Sequence, residues 1–206
     1  VTDSYAYDST RQDKLISYNG QTITYDAVGN PINYMGTAMT WTMGRQLASF
    51  GSNTYTYNED GIRTSKTVNG VTTNYYLNDT EIIYQTDGTT SIRFIYDGNS
   101  ELIGFNYNDA NYFYVKNALG VINDIVDING NIIVSYAYDP YGKVLSISGN
   151  AAIGNINPFR YKSYYYDSDT ELYYLQSRYY DPNVGRFINC DDVDYIGIND
   201  TFAGWN

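Results

Sequence analysis

Tyrosine constrains this chain more than any other feature: there are 26 in 206 residues, and they recur in register rather than at random. They close short alternating runs at Tyr5 and Tyr7, Tyr25, Tyr55 and Tyr57, Tyr75 and Tyr76, Phe94 and Tyr96, Tyr112 and Tyr114, Tyr136 and Tyr138, and Tyr164 and Tyr166, with Trp41 in the corresponding place. Such spacing is a degenerate internal repeat. Within a run the period is two, as in Val134-Ser135-Tyr136-Ala137-Tyr138, which is the signature of a strand with one buried face. Tyr, Ile, Val and Thr crowd a helical turn, and Asn, Asp and Gly interrupt every candidate helix, so little or no helix is expected.

The residues after each run are as regular as the runs themselves. Asp26 precedes Gly29 by three residues, as Asn58 does Gly61, Asn117 Gly120, Asp127 Gly130 and Asp139 Gly142, with Pro140 second in the last of these. Asp or Asn opens a type I turn by accepting backbone amides, Pro suits the second position, and Gly takes the left-handed conformation that closes a hairpin. Asp181-Pro182-Asn183-Val184-Gly185 is one residue longer, and Asp8-Ser9-Thr10-Arg11 lacks the glycine. Tyr-Asp itself occurs six times, mostly at strand ends, which chance explains poorly.

Composition removes whole chemistries. Without histidine there is no Ser-His-Asp triad, no Cys-His pair and no His-ligated zinc; one cysteine excludes an internal disulfide and a Cys-only zinc site. A net charge of −11 and a pI near 4.2 oppose binding to nucleic acid or to anionic lipid. With 43% hydrophobic residues the chain can build a core. No apolar stretch approaches the roughly 20 residues of a spanning helix, and the start VTDSYAYD has no leader character, so any secretion signal is expected upstream.

Tyr138-Asp139-Pro140-Tyr141-Gly142, Asn157-Pro158-Phe159-Arg160-Tyr161, the stretch from Tyr166 through Arg178-Tyr179-Tyr180-Asp181-Pro182, and Gly185-Arg186-Phe187 together resemble the core motif of RHS/YD-repeat proteins. The resemblance divides the chain into degenerate YD repeats over 1–135, the core motif over 136–192 and the start of a further segment over 193–206. It implies an all-β ribbon of successive antiparallel hairpins curving into part of a spiral shell or barrel. The family includes bacterial polymorphic toxins, insecticidal toxin complexes, wall-associated proteins and teneurins. It implies a structural shell module that encloses a C-terminal toxin or effector, secreted or at the cell surface, with the rest of the same shell and that effector as partners.

Many relatives cut themselves with an aspartic-protease-like site, which the resemblance carries to Arg178 and Asp191. Here the sequence reads Cys190-Asp191-Asp192 where the family has Asp-Pro, and the second motif is absent. Half a carboxylate dyad cannot share a proton, so no self-cleavage is expected of these residues alone.

The bland readings of the remaining features carry more weight. The tyrosines suit packing between hairpins beside a wet surface, with a glycan-binding wall or adhesion module as the alternative. Arg160, Arg178 and Arg186 are expected to lock the terminal hairpins by pairing with Asp167, Asp169, Glu171 and Asp181. Cys190 has no histidine to activate it and reads as a shielded thiol. The acidic turns lack the ligand spacing of a calcium loop, so neither metal nor cofactor is expected. About 16 strands at roughly 4.8 Å make a ribbon about 77 Å wide, which closes to a ring only about 25 Å across. That is too narrow to hold a folded toxin, so the piece is expected to be an arc, a filled barrel, or a protomer that self-associates through its sheet edges.

Overall fold

The computed structural model describes residues 2–189. The alternating runs form one sheet of sixteen antiparallel strands in which each strand is paired with its neighbours in sequence. They are β1 (Tyr5–Tyr7), β2 (Leu15–Tyr18), β3 (Gln21–Tyr25), β4 (Pro31–Tyr34), β5 (Thr37–Thr42), β6 (Gln46–Phe50), β7 (Asn53–Tyr57), β8 (Arg63–Val68), β9 (Val71–Asn78), β10 (Glu81–Thr86), β11 (Ser91–Tyr96), β12 (Leu102–Tyr107), β13 (Ala110–Lys116), β14 (Ile122–Val126), β15 (Ile132–Tyr138) and β16 (Val144–Gly149). A short helix, α1 (Ala151–Ile156), and a 3-10 turn at Tyr161–Ser163 lead into a second, four-stranded sheet. Its strands are β17 (Tyr165–Asp167), β18 (Leu172–Leu175), β19 (Arg178–Asp181) and β20 (Arg186–Phe187). Residue 136 lies inside β15, so the first hairpin of the core-motif segment is also the last hairpin of the large sheet.

The turns form as their side chains dictate. The amides of Gly29, Gly61, Gly120, Gly130 and Gly142 each donate to the carbonyl of the Asp or Asn three residues earlier, at 3.0–3.3 Å. All five glycines have positive φ. The acid's side chain then accepts the amides two and four residues on, as Asp139 does from Tyr141 and Lys143 at 2.8 and 2.9 Å. Ser100 takes the glycine's place after Asp97 with φ +62°, so this turn occurs without the sequence signal. Two-residue turns with two positive φ values, such as Asn19-Gly20 and Asn69-Gly70, join other strands.

The two faces of the large sheet differ as the period of two requires. One buries Ile23, Met39, Leu47, Ile92, Phe105, Ile125 and Val134. The other carries hydroxyl ladders across neighbouring strands, including Thr40 with Ser49, Thr67 with Thr72 and Thr86 with Ser91, at 2.6–2.8 Å. Residues 150–189 cover the buried face and act as an inner plug.

The plug also reveals how far the wall curls. Fifteen spacings of about 4.8 Å would separate the first and last strands of a flat sheet by about 72 Å. Yet the carbonyl of Val184 accepts the Tyr5 hydroxyl of β1 at 3.4 Å, while a methyl group on the next residue, Gly185, would lie 3.0 Å from the Tyr141 ring between β15 and β16. The two edges thus approach each other across the plug, and the sheet is not closed by pairing. The cylinder is filled by its own C-terminal segment rather than by side chains from opposite walls.

At Gly142, with φ +93°, an added methyl group would run into the Tyr161 ring of the plug; at Gly130, with φ +83°, it would meet open space. Gly130→Ala is expected to cost the backbone strain alone, about 1–2 kcal/mol. Gly142→Ala should lose clearly more by urea denaturation, and equal losses would contradict the contact between turn and plug.

Candidate functional site: the junction of wall and plug

The wall's aromatic residues are fasteners as well as core. At the ends of five repeats, one polar tip donates to a carbonyl at or next to the start of a strand of the preceding hairpin. Tyr25 reaches Leu15 (2.7 Å), Trp41 reaches Pro31 (2.6 Å), Tyr57 reaches Leu47 (3.0 Å), Tyr96 reaches Ile82 (3.0 Å) and Tyr138 reaches Ile122 (3.0 Å). Burial pushes the Tyr57, Tyr96 and Tyr138 hydroxyls up, so they stay protonated as donors.

A second set of hydroxyls bridges wall and plug. Tyr18 donates to Asn183 O (3.0 Å), Tyr34 to the Asp181 carboxylate (2.8 Å) and Tyr114 to Asn157 Oδ1 (2.7 Å). Tyr57 and Tyr179 meet hydroxyl to hydroxyl at 2.9 Å. In return, the plug clasps the last wall turn: Tyr161, Tyr180 and Tyr173 donate to the successive carbonyls of Pro140, Tyr141 and Gly142 at 2.8–2.9 Å.

At the centre is an ion pair with no exposure. Arg63 Nη1 and Nη2 donate to the two Asp167 oxygens at 2.6 and 3.0 Å, both side chains are fully buried, and Lys66 Nζ adds a third bond to Asp167 at 2.9 Å. The rings of Tyr55, Tyr75, Tyr165 and Tyr174 surround the guanidinium at 4.2–5.5 Å. Burial by itself would lower Arg63 and raise Asp167, but their mutual attraction wins and holds the base above, and the acid below, their ordinary ranges. Arg63 stands 16 residues after Leu47 and 32 after Pro31, at a repeat position that otherwise faces the core with an apolar side chain.

Arg160 and Arg186 bond to backbone carbonyls rather than to the expected carboxylates. Arg160 is buried, donates to Asn157 O and Gly154 O, and lies 4.5 Å over Tyr166. Arg186 donates to Asp13 O in the wall at 2.9 Å, and Arg178 stacks 3.8 Å over Phe187. Asp167 and Asp169 go instead to Arg63 and Lys66 of the wall. Asp181, raised by burial although Tyr34 and the Asn183 amide bond to it, anchors the longer turn that runs through Pro182 to Gly185. Cys190, Asp191 and the segment 193–206 lie outside the described residues.

The arrangement binds chain to chain. Among the described residues, no three His, Cys, Asp or Glu side chains gather as metal ligands. Asp167 is held ionised by two cations and so is no proton donor near neutral pH. An opening of about 410 Å³ remains between wall and plug, lined mainly by Ile62, Leu102, Phe159, Tyr164, Leu175 and Gln176.

Removing one partner of a buried pair leaves the other charge uncompensated, so Arg63→Leu should cost about 3–5 kcal/mol, while Arg63→Leu with Asp167→Asn should recover part of it. A neutral effect of Arg63→Leu on urea unfolding would contradict the keystone role. The sign with pH follows from the lowered Asp167: its contribution is complete above the ordinary value of 3.8 and is lost as pH falls through the lower folded value. Asp167→Asn should therefore flatten the acid limb of the stability curve, and an unchanged limb would assign that loss to other carboxylates.

Comparison with known proteins agrees with this architecture. Residues 78–201 match the Teneurin YD-shell family. The tRNA nuclease WapA of Bacillus subtilis strain 168 is 33% identical over 189 residues, and the tRNA3(Ser)-specific nuclease WapA of Bacillus spizizenii is 32% identical over 189 residues; each match covers 86% of this chain but 8% of the relative. The double-stranded DNA deaminase toxin A of Burkholderia cenocepacia is 34% identical over 89 residues, 43% of this chain and 6% of that protein. The chain thus spans less than a tenth of these relatives' length. Among solved structures, TcdB2-TccC3 without its hypervariable C-terminal region superposes with a TM-score of 0.70 at 18% identity, over 99% of this chain and 12% of that one. A repeat of paired strands stapled by tyrosine hydroxyls, closed on a core-motif plug and matched along most of its length, makes this chain a member of the YD-shell family of RHS-repeat proteins.

Proposed function

We propose that this chain is the closing section of a shell that sequesters a C-terminal effector, and that it contributes containment rather than catalysis. The observation that carries the reading is the plug: one segment of about forty residues bonds to the wall from Tyr5 of β1 to Gly142 before β16, and so ties off the end of the ribbon. Relatives that match parts of this chain are named for unlike chemistries, a tRNA nuclease and a DNA deaminase. A part shared across different reactions fits a common casing better than a common active site. The plug fills this section's interior, so the chamber itself belongs to wall built from other parts of the protein. The described residues contain no helix long and apolar enough to cross a membrane. The family resemblance supports a location outside the cell or on its surface.

Limited proteolysis of the full-length protein tests it. The domain downstream of the core motif should resist trypsin in the native protein. It should become sensitive in Tyr173→Phe combined with Asp167→Asn, which loosens the plug, under conditions where circular dichroism still reports an intact sheet. A downstream domain cleaved equally fast in both proteins would rule out containment.

A further inference from the structure

Asn-Gly occurs three times in the chain, at Asn19-Gly20, Asn69-Gly70 and Asn129-Gly130, each in an exposed turn of the wall. The pair is chemically unstable in water. Glycine leaves its own amide nitrogen unshielded, so that it can attack the asparagine side-chain carbon and close a five-membered ring. In a folded chain the reaction needs two freedoms. The carboxamide must be able to turn, and the glycine amide must be able to leave its place in the backbone.

The fold denies one freedom at two of the three positions. Asn19 Oδ1 accepts the Ser4 amide at 2.8 Å and the Ser4 hydroxyl at 3.4 Å, and Asn19 Nδ2 donates to Asp3 at 2.9 Å, so this carboxamide is tied to the residues that lead into β1. The Gly130 amide donates to Asp127 O at 3.0 Å and the Asn129 amide to Asp127 Oδ1 at 2.9 Å, so the peptide between them cannot rotate without opening the turn. Asn69-Gly70, between β8 and β9, has neither restraint. Among the described residues no hydrogen bond holds the Asn69 side chain or the Gly70 amide, and a methyl group on Gly70 would meet nothing within 4 Å.

The shape of this turn also favours the reaction. Asn69 and Gly70 have φ +51° and +80°, and Val68 pairs with Val71, which makes a two-residue type I′ turn. Ring closure requires ψ of about −120° at Asn69, the value that a type II′ turn has at its first central residue, where φ is about +60°. Rotating one peptide therefore carries Asn69 into the reactive shape while its φ and the Val68–Val71 pairing stay as they are. Gly70 accepts either sign of φ.

We propose that Asn69 is a site of spontaneous covalent modification in the folded wall, deamidation to isoaspartate, and that the fold protects Asn19 and Asn129 from it. Hydroxide removes the Gly70 amide proton, and the nitrogen bonds to Asn69 Cγ. The Cγ–Nδ2 bond then breaks, and ammonia leaves with a proton from water, which restores the hydroxide. Water opens the resulting succinimide at either carbonyl, mostly towards isoaspartate, so the net change replaces a side-chain amide by a carboxylic acid that ionises at neutral pH. The product has a new negative charge and one more backbone atom in the turn of the hairpin whose strand β8 carries Arg63 and Lys66.

Incubation of the native protein in warm, mildly alkaline buffer, followed by tryptic peptide mapping, tests the proposal, because the three asparagines fall in separate peptides, 15–45, 67–93 and 117–143. A mass gain of about 1 Da, with fragmentation that separates isoaspartate from aspartate, should appear at Asn69 about tenfold faster than at Asn19 or Asn129. In urea, where the restraints of the fold are gone, the three rates should agree within about threefold. Asn69→Gln, with a side chain too long for the five-membered ring, should remove the native signal from peptide 67–93. Equal native rates, faster conversion at Asn19 or Asn129, or an Asn69 that stays intact while the unfolded chain converts would overturn the proposal. So would rates in urea that keep the native order and spread, since the selectivity would then belong to the sequence and not to the fold.

Discussion

The contact between Arg63 and Asp167 is the point on which the rest of the structure turns. It joins β8, in the middle of the wall, to β17, the first strand of the inner sheet, and it does so where neither charge meets water. A buried pair of this kind adds little net stability over a well-packed apolar pair, but it penalises any arrangement that separates its members. With Lys66 as a second cation and four tyrosine rings around the guanidinium, it admits one placement of the inner sheet along a wall whose repeats are otherwise much alike. Specificity of register is the property that a repetitive surface lacks and that a unique charged position can supply.

Tyrosine resolves a second difficulty. A curled sheet filled by a second sheet must satisfy polar backbone at turns and strand ends that face inward, where an apolar side chain would leave carbonyls bare. A phenol supplies hydrophobic area along its ring and one donor at its tip. The staples at Tyr25, Tyr57, Tyr96 and Tyr138 and the triple clasp on Pro140, Tyr141 and Gly142 all use it in this way. Trp41 stands in the same staple series and keeps the pattern, because its indole N–H also donates.

Much of the wall was legible in the amino-acid order because its rules are local. The period of two marked the strands, and Asp or Asn three residues before Gly marked five of the longer turns. Ser100 hid one such turn, since a non-glycine residue bearing positive φ leaves no trace in the sequence. The plug was visible as a motif but not as a filling, because bonds such as Tyr34 to Asp181 span well over a hundred residues and nothing local announces them. Arg63 was readable in principle: counted in steps of 16 from Pro31 and Leu47, it puts a charge where the repeat calls for an apolar side chain. Without that count, Asp167 and Asp169 look like partners for the plug's own arginines, whereas they pair with Arg63 and Lys66 of the wall.

Because each strand of the wall pairs with the one just before it, assembly proceeds by short-range steps and can follow the chain as it emerges, hairpin by hairpin. The interior of that growing ribbon stays wet until residues 150–189 arrive. A polypeptide broken off before the plug would keep its turns and ladders yet show a continuous oily trough to the solvent, a mark by which quality-control proteases could distinguish unfinished copies from finished ones. The order of synthesis thereby becomes a check on completeness.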